Sequence, residues 1–290
     1  MKTILFSFPG NELLTQKLSE KSGFSIGELE IRIFPDGESY VKIISDVKDS
    51  RSVLICSLDR PDTKLLPLYF VSKTLKELGA ARVELVAPYL AYMRQDKRFL
   101  TGEAVTSDAF AALLSGFVDR LVTVDPHLHR HHSLAEIYTI PTCLVHAAEV
   151  ISQWIKNNIQ TPLLIGPDEE SHQWVEVVAK TAGAPFEVLR KVRKGDRDVE
   201  VSIPDVDRYR NHIPVLVDDI ISTAHTMIET VKHLNQLGMK PPVCIGVHPV
   251  FAGDAYAELN AAGAGQIISC NTIVHPSNKI DLTHQLSIAL

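Results

Sequence analysis

The sequence predicts an α/β protein with two similar domains, each built on a mainly parallel sheet flanked by helices. The length of 290 residues favours two modest hydrophobic cores over a single large one. Short runs rich in β-branched residues alternate with amphipathic segments along almost the whole chain. This alternation is typical of parallel strands covered by helices on both faces of the sheet.

Particular runs identify the elements. The chain opens on a short apolar stretch that predicts a first strand rather than a signal peptide, because no small-residue cleavage pattern follows it. Apolar residues at helical spacing predict a helix over Leu65–Leu78. Further strands are predicted at the apolar runs Val53–Ile55, Val83–Val86, Leu121–Val124, Leu163–Ile165 and Val215–Val217.

Part of this pattern occurs twice. In one copy a helix follows the Val53 strand and ends before Gly79, and in the other a helix follows the Val215 strand and ends before Gly238. Glycine in that position is typical of a helix C-terminus, and a proline closes the next strand in both copies. We therefore predict domains at 1–145 and 146–290, and expect the extreme C-terminus to pack back on the first domain.

Composition narrows the class of protein. A net charge of −6 argues against a general nucleic-acid surface, which needs a basic excess. No apolar run approaches the roughly 18 residues of a membrane span. The four cysteines are scattered without a CxxC pair, as in reduced proteins of the cytosol. We expect a cytoplasmic protein with neither a nucleic-acid nor a membrane partner.

Paired acids followed by hydroxyls mark a candidate anion site. Asp218 and Asp219 follow an apolar strand, at the edge where open α/β sheets bind ligands. The hydroxyls of Ser222, Thr223 and Thr226 then lie near a helix N-terminus, whose amides and dipole favour an anion. The carboxylates would meet sugar hydroxyls or a divalent cation on the same ligand. A solvated strand end followed by an ordinary N-cap is the competing interpretation.

The loop Val217–Thr226 resembles the phosphoribosyl-pyrophosphate-binding loop of type I phosphoribosyltransferases and of ribose-phosphate pyrophosphokinases, V-D-D-I-I-D-T-G-G-T. Transferases usually carry one such domain, whereas the pyrophosphokinases carry two, of which the first is degenerate. The repeat therefore favours the pyrophosphokinase family, and implies two tandem domains of the type I phosphoribosyltransferase kind. The resemblance assigns ribose 5-phosphate to the residues Asp218, Asp219, Ser222, Thr223, Ala224, His225 and Thr226.

Two further segments resemble the ATP-binding loops of that family. Arg32–Glu38 is similar to R-F-P/S-D-G-E, which implies that Phe34, Asp36 and Glu38 meet adenine, often across a subunit boundary. Tyr92–Phe99 is similar to Y-A-R-Q-D-R/K, which implies ATP contacts by Arg94, Gln95 and Asp96. A homo-oligomer with the ATP site near a subunit interface is therefore expected. A simple hairpin turn and a solvated basic loop are the competing interpretations.

The remaining segments imply a metal and a catalytic pair. Val124–His127 resembles V-D-L-H and Gly166–Asp168 resembles S-P-D, which implies that His127 and Asp168 help to hold Mg²⁺ on ATP. Additional histidines nearby could suggest structural zinc, but no cysteine accompanies them. Arg190–Lys194 resembles the family's K-x-R, which assigns catalysis to Lys191 and Arg193; an exposed basic hairpin is the alternative.

Together the motifs imply transfer of a diphosphoryl group from Mg-ATP to ribose 5-phosphate, giving phosphoribosyl pyrophosphate and AMP for nucleotide biosynthesis. Some positions depart from the family pattern. Ala224 and His225 replace two glycines, Glu169–Trp174 replaces a glycine-rich stretch ending in Arg, and Asp108 replaces a common Lys. A non-catalytic, nucleotide-binding regulatory homologue and a phosphoribosyltransferase are the alternative functions.

Overall fold

The computed structural model of the protein describes residues 1–128, 130–166, 172–188, 190–194, 198–202 and 206–290. Of these, residues 172–173, 190–194, 198–202 and 206–207 are described by their backbone alone. The chain divides into two compact units. The first comprises Met1–His146, Thr272–Val274 and Thr283–Leu290, and the second comprises Ala147–Asn271 and His275–Leu282.

Strands and helices alternate along the chain, as the sequence predicts. The strands are β1 (Thr3–Ser7), β2 (Ser25–Ile26), β3 (Leu29–Ile33), β4 (Ser39–Ile43), β5 (Arg51–Ile55), β6 (Arg82–Ala87), β7 (Arg120–Val124), β8 (Thr142–Val145), β9 (Pro162–Gly166), β10 (Phe186–Val188), β11 (Arg190–Lys194), β12 (Asp198–Ser202), β13 (Ile213–Ile221), β14 (Val243–Pro249), β15 (Gln266–Cys270) and β16 (Asn278–Ile280). The helices are α1 (Glu12–Ser22), α2 (Asp62–Glu77), α3 (Thr106–Ser115), α4 (Ala148–Asn158), α5 (His172–Ala182), α6 (His225–Gln236), α7 (Ala255–Ala261) and α8 (Thr283–Ala289).

Both units have the same sheet topology. The first sheet has the order β2-β1-β5-β6-β7-β8 and the second has the order β10-β9-β13-β14-β15-β16. Within each sheet all neighbouring strands are parallel. An antiparallel hairpin, β3–β4 or β11–β12, stands at the corresponding place in each repeat. The predicted α/β architecture and its internal repeat are confirmed.

The core of the first unit lies between its sheet and the covering helices. The central strand β5 is buried from Ser52 to Ile55, because helices cover both faces of a parallel sheet. From α2, Leu68, Val71 and Leu75 enter this core at helical spacing. These three positions are buried as the spacing predicts, whereas Leu78 follows the end of α2 and is 50% exposed.

Glycines end two of the helices as predicted. Gly79 follows α2 with φ +90° and Gly238 follows α6 with φ +72°. These values lie in the left-handed region, which costs glycine nothing and other residues a steric penalty.

The last helix belongs to the first unit. Helix α8 packs against α1 and β8, and its end is held by two arginines. Arg120 donates to the main-chain oxygen of Ala289 at 2.7 Å, and Arg51 donates to that of Leu290. Both guanidinium groups also bind the carboxylate of Glu84, whose side chain is only 2% exposed.

Within the described ranges, no helix combines the length and apolar character of a membrane span. All four cysteines are free thiols, and Cys56, Cys244 and Cys270 are buried. Burial raises the pKa of both Cys56 and Cys244 to about 12. These thiols therefore act as small apolar groups of the core.

Candidate functional site

The acid-rich segment lies at the centre of the second sheet. Strand β13 continues through Asp218 and Asp219 to Ile221, further than its apolar run predicts, because it remains paired with β14 up to Ile221 and Pro249. Each carboxylate accepts the next main-chain amide, that of Asp219 at 2.9 Å and that of Ile220 at 2.7 Å. Both acids are half-buried at the carboxyl end of the strand, where parallel sheets bind ligands.

A close contact anchors the end of this strand. Ile221 is buried against Gly246 of the neighbouring strand β14. A β-carbon added to Gly246 would lie 2.6 Å from Cγ1 of Ile221, so the packing of this side chain over the Gly246 backbone requires glycine. The loop that follows therefore starts from a closely packed point of the sheet.

The segment Ser222–Thr226, called here the anion loop, leads into helix α6. Ala224 is the N-cap and has φ 56° and ψ 10°, in the left-handed region. The amide of Ile228 donates to the Ala224 carbonyl at 2.8 Å, so the amides before it are left for a ligand. In the described part of the chain no side-chain hydrogen bond is formed by Ser222, Thr223 or Thr226. This arrangement of amides and hydroxyls suits a phosphate.

The departures from two glycines have different consequences. Ala224 occupies the conformation that favours glycine, whereas His225 is the first residue of α6 and is exposed. Steric strain therefore falls on Ala224, and the larger His225 side chain is accommodated at the helix start.

The first predicted ATP segment is the turn of the β3–β4 hairpin. The amide of Phe34 donates to the carbonyl of Glu38 at 2.8 Å, and that of Glu38 donates to Asp36 Oδ1 at 3.1 Å. Gly37 adopts φ +93°, the left-handed conformation that glycine supplies in a turn. The Phe34 ring is partly exposed with the Arg32 guanidinium carbon 4.5 Å from its centroid. The Asp36 and Glu38 side chains are exposed.

The second predicted ATP segment follows β6. Arg94 is exposed and Gln95 is half-buried, and the main-chain oxygen of Gln95 accepts the amide of Ser107 at 3.3 Å. Glu103 closes the loop, since its carboxylate accepts the amides of Phe99 and Leu100 at 2.8 and 2.9 Å. The loop is therefore held by hydrogen bonds within this segment and leaves Arg94 exposed.

Asp96 lies differently from its neighbours. Its side chain is only 2% exposed, and its Oδ1 accepts a 2.6 Å hydrogen bond from Arg130, in the loop after β7. Its other oxygen, Oδ2, has no hydrogen bond among the described residues. Because β6 and β7 are parallel neighbours, this ion pair joins two loops at one edge of the sheet. Sequence reasoning missed Arg130, since pairing across 34 residues requires the strand order.

His127 is half-buried in the same loop after β7. Nearby, Asp125 accepts a hydrogen bond from Nδ1 of His146 at 2.9 Å, and this bond raises the pKa of His146. His131 lies 3.3 Å from Glu136 and 3.7 Å from Asp108, which replaces the common Lys. The carboxylate of Asp108 accepts a hydrogen bond from the hydroxyl of Ser107 at 3.0 Å.

The other predicted site residues belong to the second unit or lie outside the described residues. Lys191 and Arg193 occupy alternate positions of β11, opposite Val201 and Val199 of β12. Only the backbone of these residues is described, and the catalytic role of Lys191 and Arg193 stays a prediction. Asp168 and the segment 169–171 lie outside the described residues, as does His129.

The metal donors that the resemblance implies are His127 and Asp168, of which His127 lies within the described residues. Across the described ranges, no three His, Cys, Asp or Glu side chains come together in a way that could hold a metal. Mg²⁺ retains several waters and takes phosphate oxygens, so one or two protein groups suffice, whereas structural zinc needs four.

Comparisons with known proteins agree on a family. The model of the N-terminal domain of ribose phosphate pyrophosphokinase matches residues 3–117, and that of the phosphoribosyl transferase domain matches residues 133–284. The chain is 30% identical to the ribose-phosphate pyrophosphokinase of Methanobrevibacter smithii and 32% identical to that of Saccharolobus solfataricus, covering 96% of each chain in both cases. The phosphoribosylpyrophosphate synthetase of Mycobacterium smegmatis shares the fold, with a TM-score of 0.87 at 22% identity over 100% of this chain and 97% of that one.

Proposed function

The chain belongs to the ribose-phosphate pyrophosphokinase family, and we propose that it transfers the diphosphoryl group of Mg-ATP to the anomeric hydroxyl of ribose 5-phosphate. The products are phosphoribosyl pyrophosphate and AMP. We assign the acceptor site from one observation. The half-buried pair Asp218 and Asp219 is followed by the anion loop at the N-terminus of α6.

The acceptor binds in the second unit. The amides and hydroxyls of the anion loop receive the 5-phosphate, including those of Thr223 and Thr226. Asp218 and Asp219 accept hydrogen bonds from the ribose hydroxyls, which keeps their carboxylates away from the phosphate. This division of roles follows from charge, since a carboxylate repels a phosphate and attracts a hydroxyl proton.

The nucleotide binds to loops of the first unit. Phe34 offers a ring to adenine, and the exposed carboxylates of Asp36 and Glu38 can accept from its exocyclic amine. The loop after β6 meets the phosphates through Arg94 and Gln95. The buried Asp96 serves this site through Arg130, which it holds at 2.6 Å.

The reaction is an in-line displacement at the β-phosphorus. The anomeric oxygen forms a bond to that phosphorus, and the bond to the oxygen bridging the α- and β-phosphates breaks. The electron pair of that bond leaves with AMP, and the hydroxyl proton is released to solvent. Lys191 and Arg193 neutralise charge on the migrating group, which is the main task of a protein in phosphoryl transfer.

Magnesium supplies charge neutralisation on the phosphates when it is bound, with His127 and Asp168 as its protein partners. The chain's own residues supply alignment, because holding two reactants in register removes much of the entropic barrier. No covalent intermediate is required.

We further propose that the enzyme is a cytoplasmic homo-oligomer with the β3–β4 hairpin near a subunit interface. The large exposed side chains of this region, Ile33 at 65% and Ile44 at 52%, support an interface there. Sedimentation equilibrium of the purified protein tests the proposal, and a monomer at micromolar concentration would contradict it.

The role of the cationic strand β11 is tested by Lys191→Ala. We expect turnover of ATP to AMP to fall at least about 100-fold, since the variant loses a charge that acts on the migrating group. The KM for ribose 5-phosphate should stay within about twofold, because that substrate binds elsewhere. Lys156→Ala, an exposed cation on α4, is the matched control.

Full activity in Lys191→Ala would remove that residue from the mechanism. A wild-type protein that binds ATP but forms no AMP would instead support a nucleotide-binding homologue without catalysis. The two failures are therefore distinguishable.

A further inference from the structure

A strained residue lies beside the anion loop. Phe251, two residues after β14, has φ +38°, in the left-handed region that glycine occupies freely. A residue with a β-carbon and a ring enters this region only where its surroundings hold it there. The surroundings of Phe251 must therefore hold it in this conformation.

The backbone at Phe251 is bonded to the start of the anion loop. The amide of Phe251 donates to the carbonyl of Ile221 at 2.9 Å, and the amide of Ala252 donates to the carbonyl of Ser222 at 3.1 Å. Strands β13 and β14 pair up to Ile221 and Pro249. The two bonds extend this contact past the sheet, so the segment after β14 fixes the backbone from which Thr223 and Ala224 project.

The ring of Phe251 is held by two aromatic neighbours. Its centroid lies 4.5 Å from that of His275 with 30° between the planes, and 5.2 Å from that of Tyr256 in an edge contact. Tyr256 and His275 also contact each other at 4.8 Å. Three rings in mutual contact resist rotation of any one of them.

His275 is itself fixed. Its Nδ1 lies 2.7 Å from the hydroxyl of Ser277, and its amide donates to Oδ1 of Asn278 at 3.0 Å. Burial lowers the pKa of His275, so the ring that stacks on Phe251 is the neutral one near pH 7. The cluster of Phe251, Tyr256 and His275 is called here the aromatic brace.

We propose that Phe251 is a positioning residue for ribose 5-phosphate, acting through the aromatic brace. The brace keeps Phe251 in its strained conformation, and the two main-chain bonds transmit that conformation to Ile221 and Ser222. The hydroxyls and amides of the anion loop are thereby held ready for the 5-phosphate before it binds. The inference rests on the proposed function and adds a positioning residue to its acceptor site.

The test compares Michaelis constants for the two substrates. In Phe251→Ala, which removes the ring, the KM for ribose 5-phosphate should rise about tenfold, because small misplacements of binding groups are costly. The KM for ATP should change by less than about twofold, since the brace belongs to the second unit and the predicted ATP loops belong to the first. Phe251→Tyr retains the ring, so its KM for ribose 5-phosphate should equal that of the wild type. Phe70→Ala, a partly exposed phenylalanine on α2 of the first unit, is the control and should change neither constant.

Several results would overturn the proposal. One is an unchanged KM for ribose 5-phosphate in Phe251→Ala, and another is an equal rise for both substrates. If Phe251→Ala does not fold, His275→Gln, which removes the stacked ring from the other side, decides in the same way. If the wild-type protein makes no AMP, the proposed function itself is wrong. If the wild type is active and Phe251→Ala leaves the KM for ribose 5-phosphate unchanged, only the proposed role of the aromatic brace is wrong.

Discussion

Ala224 has a backbone conformation that favours glycine, so its substitution by glycine should stabilise the protein. Ala224 caps α6 with φ 56° and ψ 10°. An L-residue with a β-carbon loses about 1–2 kcal/mol in this conformation, because the β-carbon crowds the following carbonyl oxygen. Glycine avoids that loss but adds about 0.4–1 kcal/mol of conformational entropy to the unfolded chain. Ala224→Gly should therefore stabilise the protein by about 0.5–1 kcal/mol.

Alanine to glycine normally has the opposite effect. Ala112 is exposed in the interior of α3 with helical backbone. There the same substitution should destabilise the protein by about 1 kcal/mol, since glycine is the poorer helix former. The pair Ala224→Gly and Ala112→Gly thus changes the same atoms with opposite expected signs.

Thermal unfolding monitored by circular dichroism measures both variants against the wild type. For units of this size, 1 kcal/mol corresponds to about 2–4 °C in the midpoint. The midpoint should rise in Ala224→Gly and fall in Ala112→Gly. If Ala224→Gly lowers the midpoint as much as Ala112→Gly, the left-handed cap is not strained and the reasoning fails.

Two further predictions concern charge. Glu84→Gln should lower the free energy of unfolding, measured in urea, by about 3–5 kcal/mol, because Arg51 and Arg120 lose their buried partner. A loss below about 1 kcal/mol would contradict this. Burial acts to raise the pKa of Glu84, but the hydrogen bonds and charges of the two arginines outweigh burial, so the pKa is lowered. The stabilisation should therefore be present above pH 4.5 and be lost as the pH falls further. His275 has a pKa lowered by burial, so the unfolded chain takes up the proton first and stability should fall as pH drops through 6.5. In His275→Gln the loss of unfolding free energy between pH 7.5 and 5.5 should be smaller, and an equal loss in both proteins would show that His275 does not titrate as inferred.

Much of the fold follows from local patterns in the sequence. The run Val53–Ile55 and the helix Leu65–Leu78 have the periodicities of a buried strand and an amphipathic helix, and both elements form. Gly79 and Gly238 end their helices because the left-handed C-terminus needs glycine. These signals depend only on neighbouring residues, so tertiary structure is not needed to interpret them.

The end of β13 could not be placed in this way. Asp218 and Asp219 are polar and indicate a strand end, but main-chain pairing with β14 continues to Ile221. Backbone hydrogen bonds do not depend on side-chain polarity, so the pairing continues past the two acids. The side chain of Ile221, at the end of the strand, also needs the space left by Gly246 on the neighbouring strand.

The site contacts that sequence reasoning missed are all long-range. Arg130 reaches Asp96 only because β6 and β7 are adjacent, and Phe251 reaches Ile221 only because β14 follows β13 in the sheet. The candidate ligand-binding residues themselves stay predictions, some from their types and spacing and the others from the family resemblance. The contacts that hold these residues in place depend on the order of the strands in the sheet, which a single sequence does not reveal.

The central claim is that the chain moves a diphosphoryl group from ATP to ribose 5-phosphate. The most direct test is phosphorus NMR of the wild-type protein with ATP, Mg²⁺ and ribose 5-phosphate. We expect AMP and a ribose product carrying two linked phosphates at the anomeric carbon, in equal amounts. Formation of ADP in place of AMP, or ATP that is bound but unchanged, would contradict it.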